Sequence, residues 1–292
     1  MRAGHEVCLV VTQPDRPKGR GMELALSPVK QKALELGIEI AQPEKIKNNA
    51  EFRAQLEALA PDCIAVVGYG RIIPRWMLDL PRHGNINLHA SLLPRYRGAA
   101  PIQWAIANGE SVTGNTTMRI DEGLDTGDIL LQREMAIAPE DTSVMLAPRL
   151  AAMGAGLLVE TIAALAEGRV RPTPQANEQA TLAPILTRED GRMDFARSAQ
   201  TLCNRHRGFQ PWPGSFTTFR GKQLTLHAIS VARGAPALAA GAIAVAGEQL
   251  LAGCGEQTAI AIDALQLEGK RRMSAREFIN GYQPKAGERL GS

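Results

Sequence analysis

Residues 85–106 read NINLHASLLPRYRGAAPIQWAI, and this stretch joins a strand, a loop and a helix in one run of chain. Asn85–His89 is strand-like, so Asn87 and His89, two positions apart, leave the same face of a sheet. Pro101 stands where proline is favoured, in the first turn of a helix. A strand that leads into a helix is the repeating unit of doubly wound α/β folds.

The same alternation extends over the first half of the chain. Strands are predicted at Glu6–Thr12, Ile38–Ala41, Cys63–Val67, Asn85–His89, Thr116–Ile120 and Asp128–Met135. Helices are predicted at Pro28–Leu36, Glu51–Leu59, Pro101–Gly109 and Ser143–Gly168. The wholly apolar run Cys63–Val67 is typical of a buried parallel strand. We therefore predict an α/β fold with a Rossmann-like, doubly wound parallel sheet.

The alternation of strands and helices ends after residue 170. Residues 171–184, RPTPQANEQATLAP, are punctuated by proline and read as an interdomain linker. Next come a predicted helix at Ala196–Arg207, five short β-type runs separated by glycine, and a last helix, Ser274–Asn280, capped by Ser274. The β-type runs are Ser215–Phe219, Leu224–Val231, Gly241–Ala246, Gln249–Ala252 and Ala259–Gln266. They predict a small barrel of the oligonucleotide-binding (OB) type, although another small β-barrel fits the pattern equally.

These patterns predict two domains. Residues 1–170 form the α/β domain, residues 171–186 the linker, and residues 187–292 the OB-like domain. Positive charge is concentrated after residue 186, where 14 lysines and arginines stand against 9 acidic residues. A basic half favours a polyanion as partner, while scattered solvated charge is the alternative that composition leaves open.

The composition indicates a globular protein in a reducing compartment. Apolar residues make up 45% of the chain, and no window approaches the roughly 18 uninterrupted apolar residues of a membrane span. The start of the chain has no signal-peptide pattern. The four cysteines form no Cys-x-x-Cys pair, which argues against a disulfide framework or a zinc knuckle.

A loop beyond the opening stretch supplies a third polar group. Asp125 lies in GLDTGD, residues 123–128, between two glycines that allow a tight bend. An asparagine can donate a hydrogen bond to a developing oxyanion, a histidine can move a proton, and an aspartate can orient and charge-stabilise the histidine. Asn87, His89 and Asp125 therefore suit the transfer of an acyl-like group.

A second motif raises an alternative that we reject. Gly68-Tyr69-Gly70 follows a predicted strand, as in a dinucleotide-binding loop. Ile73 occupies the place of the third glycine, and no acidic residue follows at the required spacing.

The motifs together resemble those of a known family. The chain is similar to the folate-dependent formyltransferases and, within that superfamily, to the methionyl-tRNA formyltransferases. The similar segments are TQPDRPKGRG (12–21), SPVK (27–30), VVGYGRIIP (66–74), NLHASLLPRYRGAAPIQWAI (87–106), GLDTGDILL (123–131), LTREDGRMDF (186–195), PWPG (211–214) and LEGKRRMSAREF (267–278).

The resemblance implies a reaction and the residues that carry it. The family moves a formyl group from 10-formyltetrahydrofolate to the amino group of methionine on initiator tRNA, without a metal. Asn87, His89 and Asp125 match its catalytic residues. The residues expected to line the folate pocket are Ser91, Leu92, Leu93, Pro94, Gly70 and Asp128.

The resemblance also implies contacts with tRNA. Gln13–Gly21 reads as a loop rich in glycine and proline, and in the family this segment contacts the acceptor stem. The basic pair that usually follows it is replaced here by Met22 and Glu23. The tRNA-binding candidates are Arg16, Lys18, Arg20, Arg205, Lys270, Arg271 and Arg272. The expected partners are initiator methionyl-tRNA and folate, with no membrane, and the protein is expected to be a cytoplasmic monomer.

One segment departs from the family pattern. Met1–His5 matches the end of the family's first helix, so the first strand and helix, roughly 20 residues, have no counterpart. Without that central strand, two sheet edges are expected to be exposed. Two alternatives stay open: a formyltransferase that acts on a sugar nucleotide, and a catalytically impaired remnant that binds tRNA or folate.

Overall fold

The computed structural model describes residues 3–18, 23–285 and 287–291. Its contacts divide the chain into two compact units, each assembled from three segments. The first unit comprises Met1–Arg97, Asn115–Arg133 and Met153–Ala180. The second unit comprises Gly98–Gly114, Glu134–Ala152 and Thr181–Ser292.

Short strands of the first half form three sheets among the described residues. These strands are β1 (Val10–Val11), β2 (Arg16–Lys18), β3 (Glu23–Ala25), β4 (Ile40–Ala41), β5 (Ile64–Val66), β6 (Asn85–His89), β7 (Val112–Arg119) and β8 (Ile129–Ala136). β1 pairs with β4 in parallel, β2 pairs with β3 antiparallel, and the four-stranded sheet has the order β5-β6-β7-β8. β5 and β6 run parallel, whereas β6 and β7 run antiparallel.

The four-stranded sheet is mixed: the predicted parallel direction is found between β5 and β6, whereas β6 and β7 run antiparallel. The α/β alternation itself is confirmed, with a parallel pair at β5 and β6. Hydrophobic periodicity places a strand and its buried face but carries no information on the direction in which the strand runs.

β5 is less buried than its apolar sequence predicts. Ile64 and Val66 are only partly buried, Ala65 is exposed, and Val67 is 58% exposed. Among the described residues, β5 pairs with β6 alone and stands at the edge of its sheet. An edge strand lacks a neighbour on one side, so the burial predicted for Cys63–Val67 is only partial, whereas its strand and its parallel direction are confirmed.

Within the segment predicted as the loop Gln13–Gly21, residues Arg16–Lys18 form strand β2, and residues 19–21 lie outside the described residues. Arg16 pairs with Ala25, Pro17 with Leu24 and Lys18 with Glu23. The proline did not prevent strand pairing, because proline is tolerated in an edge strand.

Five helices lie in the described part of the first half of the chain. They are α1 (Pro28–Glu35), α2 (Ala50–Leu59), α3 (Arg75–Leu78), α4 (Pro101–Ala107) and α5 (Ser143–Ala166), of which α3 was not predicted. Ser27 caps α1 and Asn49 caps α2 through their side chains. Phe52 of α2 packs edge-on against Trp76 of α3, with ring centroids 6.3 Å apart.

Helix α5 is long and apolar enough to cross a membrane, the one such helix in the described part of the chain. The core helix of a folded domain passes the same test, and Leu146, Leu150 and Leu157 of α5 are fully buried. One such helix is weak evidence for a membrane protein.

The second half forms an antiparallel sheet with a helix at each end of its sequence. Its elements are α6 (Ala199–Gly208), β9 (Ser215–Phe219), β10 (Lys222–Val231), β11 (Ile243–Ala246), β12 (Gln249–Gly253), β13 (Ala259–Leu267), β14 (Met273–Ser274) and α7 (Ala275–Tyr282). The strand order is β11-β12-β13-β10-β9, with β14 on β13. This barrel-like arrangement, with a bulge in the β10–β13 pairing, agrees with the predicted small β-domain.

The core of this sheet is closed by the last helix. Phe278 of α7 is fully buried, with its ring centroid 5.1 Å from Phe219 and 4.9 Å from Tyr282. Ser274 and Glu277 form a capping box at the start of α7, which confirms the predicted cap.

Candidate active site

Strand β6 places two candidate catalytic side chains on one face of the sheet. Asn87 lies beside Val66 of β5 and Met118 of β7, and His89 lies beside Thr116. The two-residue spacing sends both side chains the same way, as predicted. His89 is 6% exposed, and Asn87 is partly buried.

The loop between β7 and β8 brings Asp125 to the same point. Its Oδ2 lies 3.6 Å from His89 Nδ1, and its Oδ1 accepts a hydrogen bond of 3.3 Å from Asn87 Nδ2. Asp125 has a φ of 52°, in the left-handed region that aspartate tolerates better than most residues. Gly127 is needed for this bend, because a Cβ there would lie 1.9 Å from the carbonyl oxygen of Arg119.

A second contact determines which nitrogen of His89 faces the reaction. His89 Nε2 lies 2.8 Å from the backbone oxygen of Tyr96. A carbonyl oxygen only accepts, so Nε2 carries a proton and donates it to this bond. In the neutral ring, Nδ1 is therefore the basic nitrogen, and it faces Asp125.

Partial burial strengthens the electrostatic interactions among the side chains of this cluster. The side chain of Asp125 is 15% exposed, and that of His89 is 6% exposed. Charges interact more strongly in such partly buried surroundings than in bulk water. The cluster thus combines an amide donor, a proton-accepting imidazole and a carboxylate that stabilises the imidazolium.

The loop after β6 is held by a network that the sequence did not indicate. Thr116 is fully buried, and its Oγ1 donates to the oxygen of Ser91 and accepts from the nitrogen of Leu93. Gln132 Nε2 donates to the oxygen of Leu93 at 2.9 Å and to Thr116 Oγ1 at 2.9 Å. The loop is therefore pinned from β7 and β8, the two strands next to it.

The six predicted folate residues occupy different environments. Ser91 is fully buried and donates from Oγ to the oxygen of Arg95 at 2.6 Å. Leu93 is 3% exposed, so its side chain packs in the core, whereas Leu92, Pro94 and Asp128 are partly exposed. Gly70 is exposed in the loop after β5, with a φ of 72°. Their contact with folate stays a prediction.

The loop that carries Gly70 is tied to two other strand ends. Arg71 donates from Nε to Gln13 Oε1 at 2.8 Å and from Nη1 to the oxygen of Glu44 at 2.7 Å. Gln13 in turn donates to the oxygen of Tyr69 at 2.9 Å. Gln13, Glu44 and Arg71 follow β1, β4 and β5, so these bonds tie together the loops at the carboxyl ends of three strands.

Comparisons with known proteins show the family of this chain. Residues 2–162 match the family model described as formyl transferase, and residues 185–283 match that of the formyl transferase C-terminal domain. The chain belongs to the formyl transferase family. It is 65% identical to the methionyl-tRNA formyltransferase of Koribacter versatilis, over 100% of this chain and 93% of that protein. It is 62% identical to the enzyme of the same name from Acidobacterium capsulatum, over 100% of this chain and 94% of that protein.

Solved structures share the fold at lower identity. HypX from Aquifex aeolicus in complex with tetrahydrofolic acid is 17% identical, with a TM-score of 0.58 over 87% of this chain and 44% of that chain. WlaRD, a sugar 3N-formyl transferase, is 18% identical, with a TM-score of 0.60 over 82% of this chain and 81% of that chain.

The tRNA-binding candidates of this formyl transferase fall into two groups in the structure. In the first unit, Arg16 of β2 is exposed, the side chain of Lys18 is not described, and Arg20 lies outside the described residues. In the second unit, Lys270, Arg271 and Arg272 are exposed between β13 and β14. Arg271 also bonds to Glu277 Oε1 at 2.7 Å.

Arg205 differs from the other candidates because it is a packing residue. Its guanidinium carbon lies 4.8 Å from the ring centroid of Phe209 and 5.6 Å from that of Trp104. Its Nη2 donates to the oxygen of Asp190 at 3.0 Å, and burial lowers the pKa of its guanidinium. The contacts of Arg205 thus support the α6 region, and we remove it from the proposed tRNA surface.

Proposed function

We propose that this formyl transferase moves the formyl group of 10-formyltetrahydrofolate to the amino group of methionyl-initiator tRNA. The observation that supports the proposal is the contact of Asn87, His89 and Asp125 within one compact unit. The two relatives named above carry the same activity in their names and extend over the whole chain. We propose that the protein acts as a monomer in the cytoplasm, where charged tRNA is used.

In the proposed mechanism, the methionyl amine attacks the formyl carbon. The bond from the amine nitrogen to this carbon forms, and the carbon's bond to N10 of the folate breaks. Asn87 Nδ2 donates to the developing oxyanion, and His89, once protonated at Nδ1, supplies a second donor. One proton leaves the amine and one reaches N10, with Nδ1 of His89 and the carboxylate of Asp125 as the groups that exchange them.

We propose that the exposed basic segment Lys270–Arg272 binds the tRNA backbone. Its three exposed cations follow the turn at Glu268–Gly269 and are accessible to phosphates. The segment Gln13–Gly21 is proposed as a second contact through Arg16, Lys18 and Arg20.

An acceptor experiment tests the proposal. The purified chain is incubated with 10-formyltetrahydrofolate labelled in the formyl group and with either methionyl-initiator tRNA or a dTDP-linked amino sugar. We expect label on the tRNA, abolished in His89→Ala and retained in His83→Ala, a matched histidine outside the site. Transfer to the amino sugar alone would support the sugar-nucleotide alternative. A folded protein that transfers to neither acceptor would be a remnant without this activity.

A further inference from the structure

The segment predicted as a linker contains a buried glutamine that contacts the Asp125 loop. Gln175 is 8% exposed. Its Nε2 donates to the backbone oxygens of Asp125 at 2.9 Å and of Gly127 at 2.7 Å. Nearby, Thr173 and Ile129 exchange two backbone hydrogen bonds of 2.9 Å, which fix this segment beside β8. Residues 173–175 are therefore bonded to the sheet and do not form a free linker.

A buried arginine determines the orientation of that glutamine. Arg97 is 7% exposed, and its Nε and Nη2 donate to Gln175 Oε1 at 3.0 and 2.7 Å. A guanidinium has donors and no acceptor, so Gln175 must turn its oxygen toward Arg97. The NH2 group of Gln175 then points toward the carbonyl oxygens of Asp125 and Gly127, and it donates its hydrogen bonds to them. Asn177 Oδ1 accepts a further bond of 2.8 Å from Arg97 Nη2.

We infer that Gln175 and Arg97 are positioning residues for the candidate catalytic carboxylate. The inference rests on the proposed function, since it assigns a role within the same reaction. Asp125 has a left-handed backbone, which is less favourable than the usual conformations unless its surroundings hold it. The two hydrogen bonds from the Gln175 amide reach the backbone on both sides of residue 126 and hold Asp125 in this conformation. The distance between Asp125 Oδ2 and His89 Nδ1 depends on this loop conformation.

Two substitutions of Gln175 separate positioning from simple stability. Gln175→Glu keeps the size of the side chain and an oxygen for Arg97, but it places a second oxygen against the carbonyls of Asp125 and Gly127. Gln175→Leu removes both sets of bonds. The matched control is Gln179→Leu, because Gln179 is an exposed glutamine of the same segment. We expect both Gln175 variants to lose about 10-fold to 100-fold in kcat, with KM for tRNA changed little.

Hydrogen exchange of the amides in residues 121–128 gives a readout that does not depend on activity. We expect exchange in Gln175→Leu and Gln175→Glu to accelerate by about 10-fold or more, while Gln179→Leu behaves as the wild type. Melting temperature is measured alongside, and we expect Gln175→Glu to melt closer to the wild type than Gln175→Leu does, because its carboxylate pairs with Arg97. Loss of turnover in Gln175→Glu then cannot be attributed to unfolding.

The outcomes distinguish this inference from the proposed function. Unchanged exchange in residues 121–128 of Gln175→Leu would overturn the positioning role, whatever the reaction. Wild-type kcat in both Gln175 variants would overturn it as well. If the wild-type protein transferred no formyl group while the Gln175 variants still loosened the loop, the proposed function would fail and the structural link would stand.

Discussion

The stability of the second unit should depend on pH through His206 of α6. His206 is 8% exposed, its Nδ1 lies 3.0 Å from Ser215 Oγ, and its Nε2 lies 3.5 Å from Gln210 Nε2. Burial, followed by the positive charge of His227, lowers the pKa of His206 from 6.5 to about 4. The perturbation is a change of pH from about 7 to about 5, compared between the wild type and His206→Gln.

The sign of the effect follows from the direction of the pKa shift. The unfolded chain binds a proton near pH 6.5, and the folded protein binds it only near pH 4. Stability is therefore fully present above pH 6.5 and is lost as the pH falls from 6.5 toward 4. This pKa difference corresponds to about 3 kcal/mol over the whole window, and linkage gives about 2 kcal/mol between pH 7 and pH 5.

Urea unfolding followed by tryptophan fluorescence measures this difference. Trp104 and Trp212 lie in the same unit as His206. Trp76, in the other unit, is replaced by phenylalanine in both proteins that are compared, so that the fluorescence reports on the unit of His206. We expect the free energy of unfolding to fall by about 2 kcal/mol more in the histidine protein than in His206→Gln, since both share all other titrating groups. An equal fall in the two proteins would refute the assignment of a buried neutral histidine.

Further predictions concern tRNA affinity, the folate-side loop and the core. Charge reversal of Lys270, Arg271 and Arg272 should weaken the binding of initiator tRNA and flatten the dependence of the logarithm of the binding constant on the logarithm of the salt concentration. The control variant Lys32→Glu on α1 should change neither. An unchanged slope in a salt titration of the charge-reversed protein would exclude the segment Lys270–Arg272 from the interface. Thr116→Val should raise the KM for 10-formyltetrahydrofolate by about 10-fold, because the hydrogen bonds of Thr116 to Ser91, Leu93 and Gln132 are lost. Equal KM values for the variant and the wild type in steady-state assays would contradict this prediction. Phe278→Ala should lower the free energy of unfolding by about 3–5 kcal/mol in a urea titration, and a loss below about 1 kcal/mol would show that the packing with Phe219 is not central to the core.

Much of the fold and the central cluster could be predicted from local sequence. Ser274 and Glu277 form a cap within four residues, so their signal is contained in a short window. Asn87 and His89 share a face because strands alternate with a period of two. No periodicity relates Asp125 to β6, so the sequence indicated only its tight loop between two glycines, and the resemblance to a family implied its catalytic role.

The contacts that escaped prediction join residues far apart in the chain. Gln175 lies in a proline-punctuated segment, and nothing local indicates that Arg97, 78 positions earlier, buries and orients it. The charge of Arg205 suggested a surface role, whereas the ring of Trp104 that covers it comes from another helix. The antiparallel direction of β7 likewise depends on strand pairing, which composition does not record.

The most direct test of the account is the single-turnover rate of formyl transfer to methionyl-initiator tRNA in a double-mutant cycle of His89 and Asp125. His89→Ala and Asp125→Ala should each lower the rate by on the order of 100-fold or more. Because Asp125 acts on the imidazole, the double variant should be little slower than either single variant. Near wild-type rates in either single variant, or losses that multiply in the double variant, would contradict the claim that the two residues act as one unit.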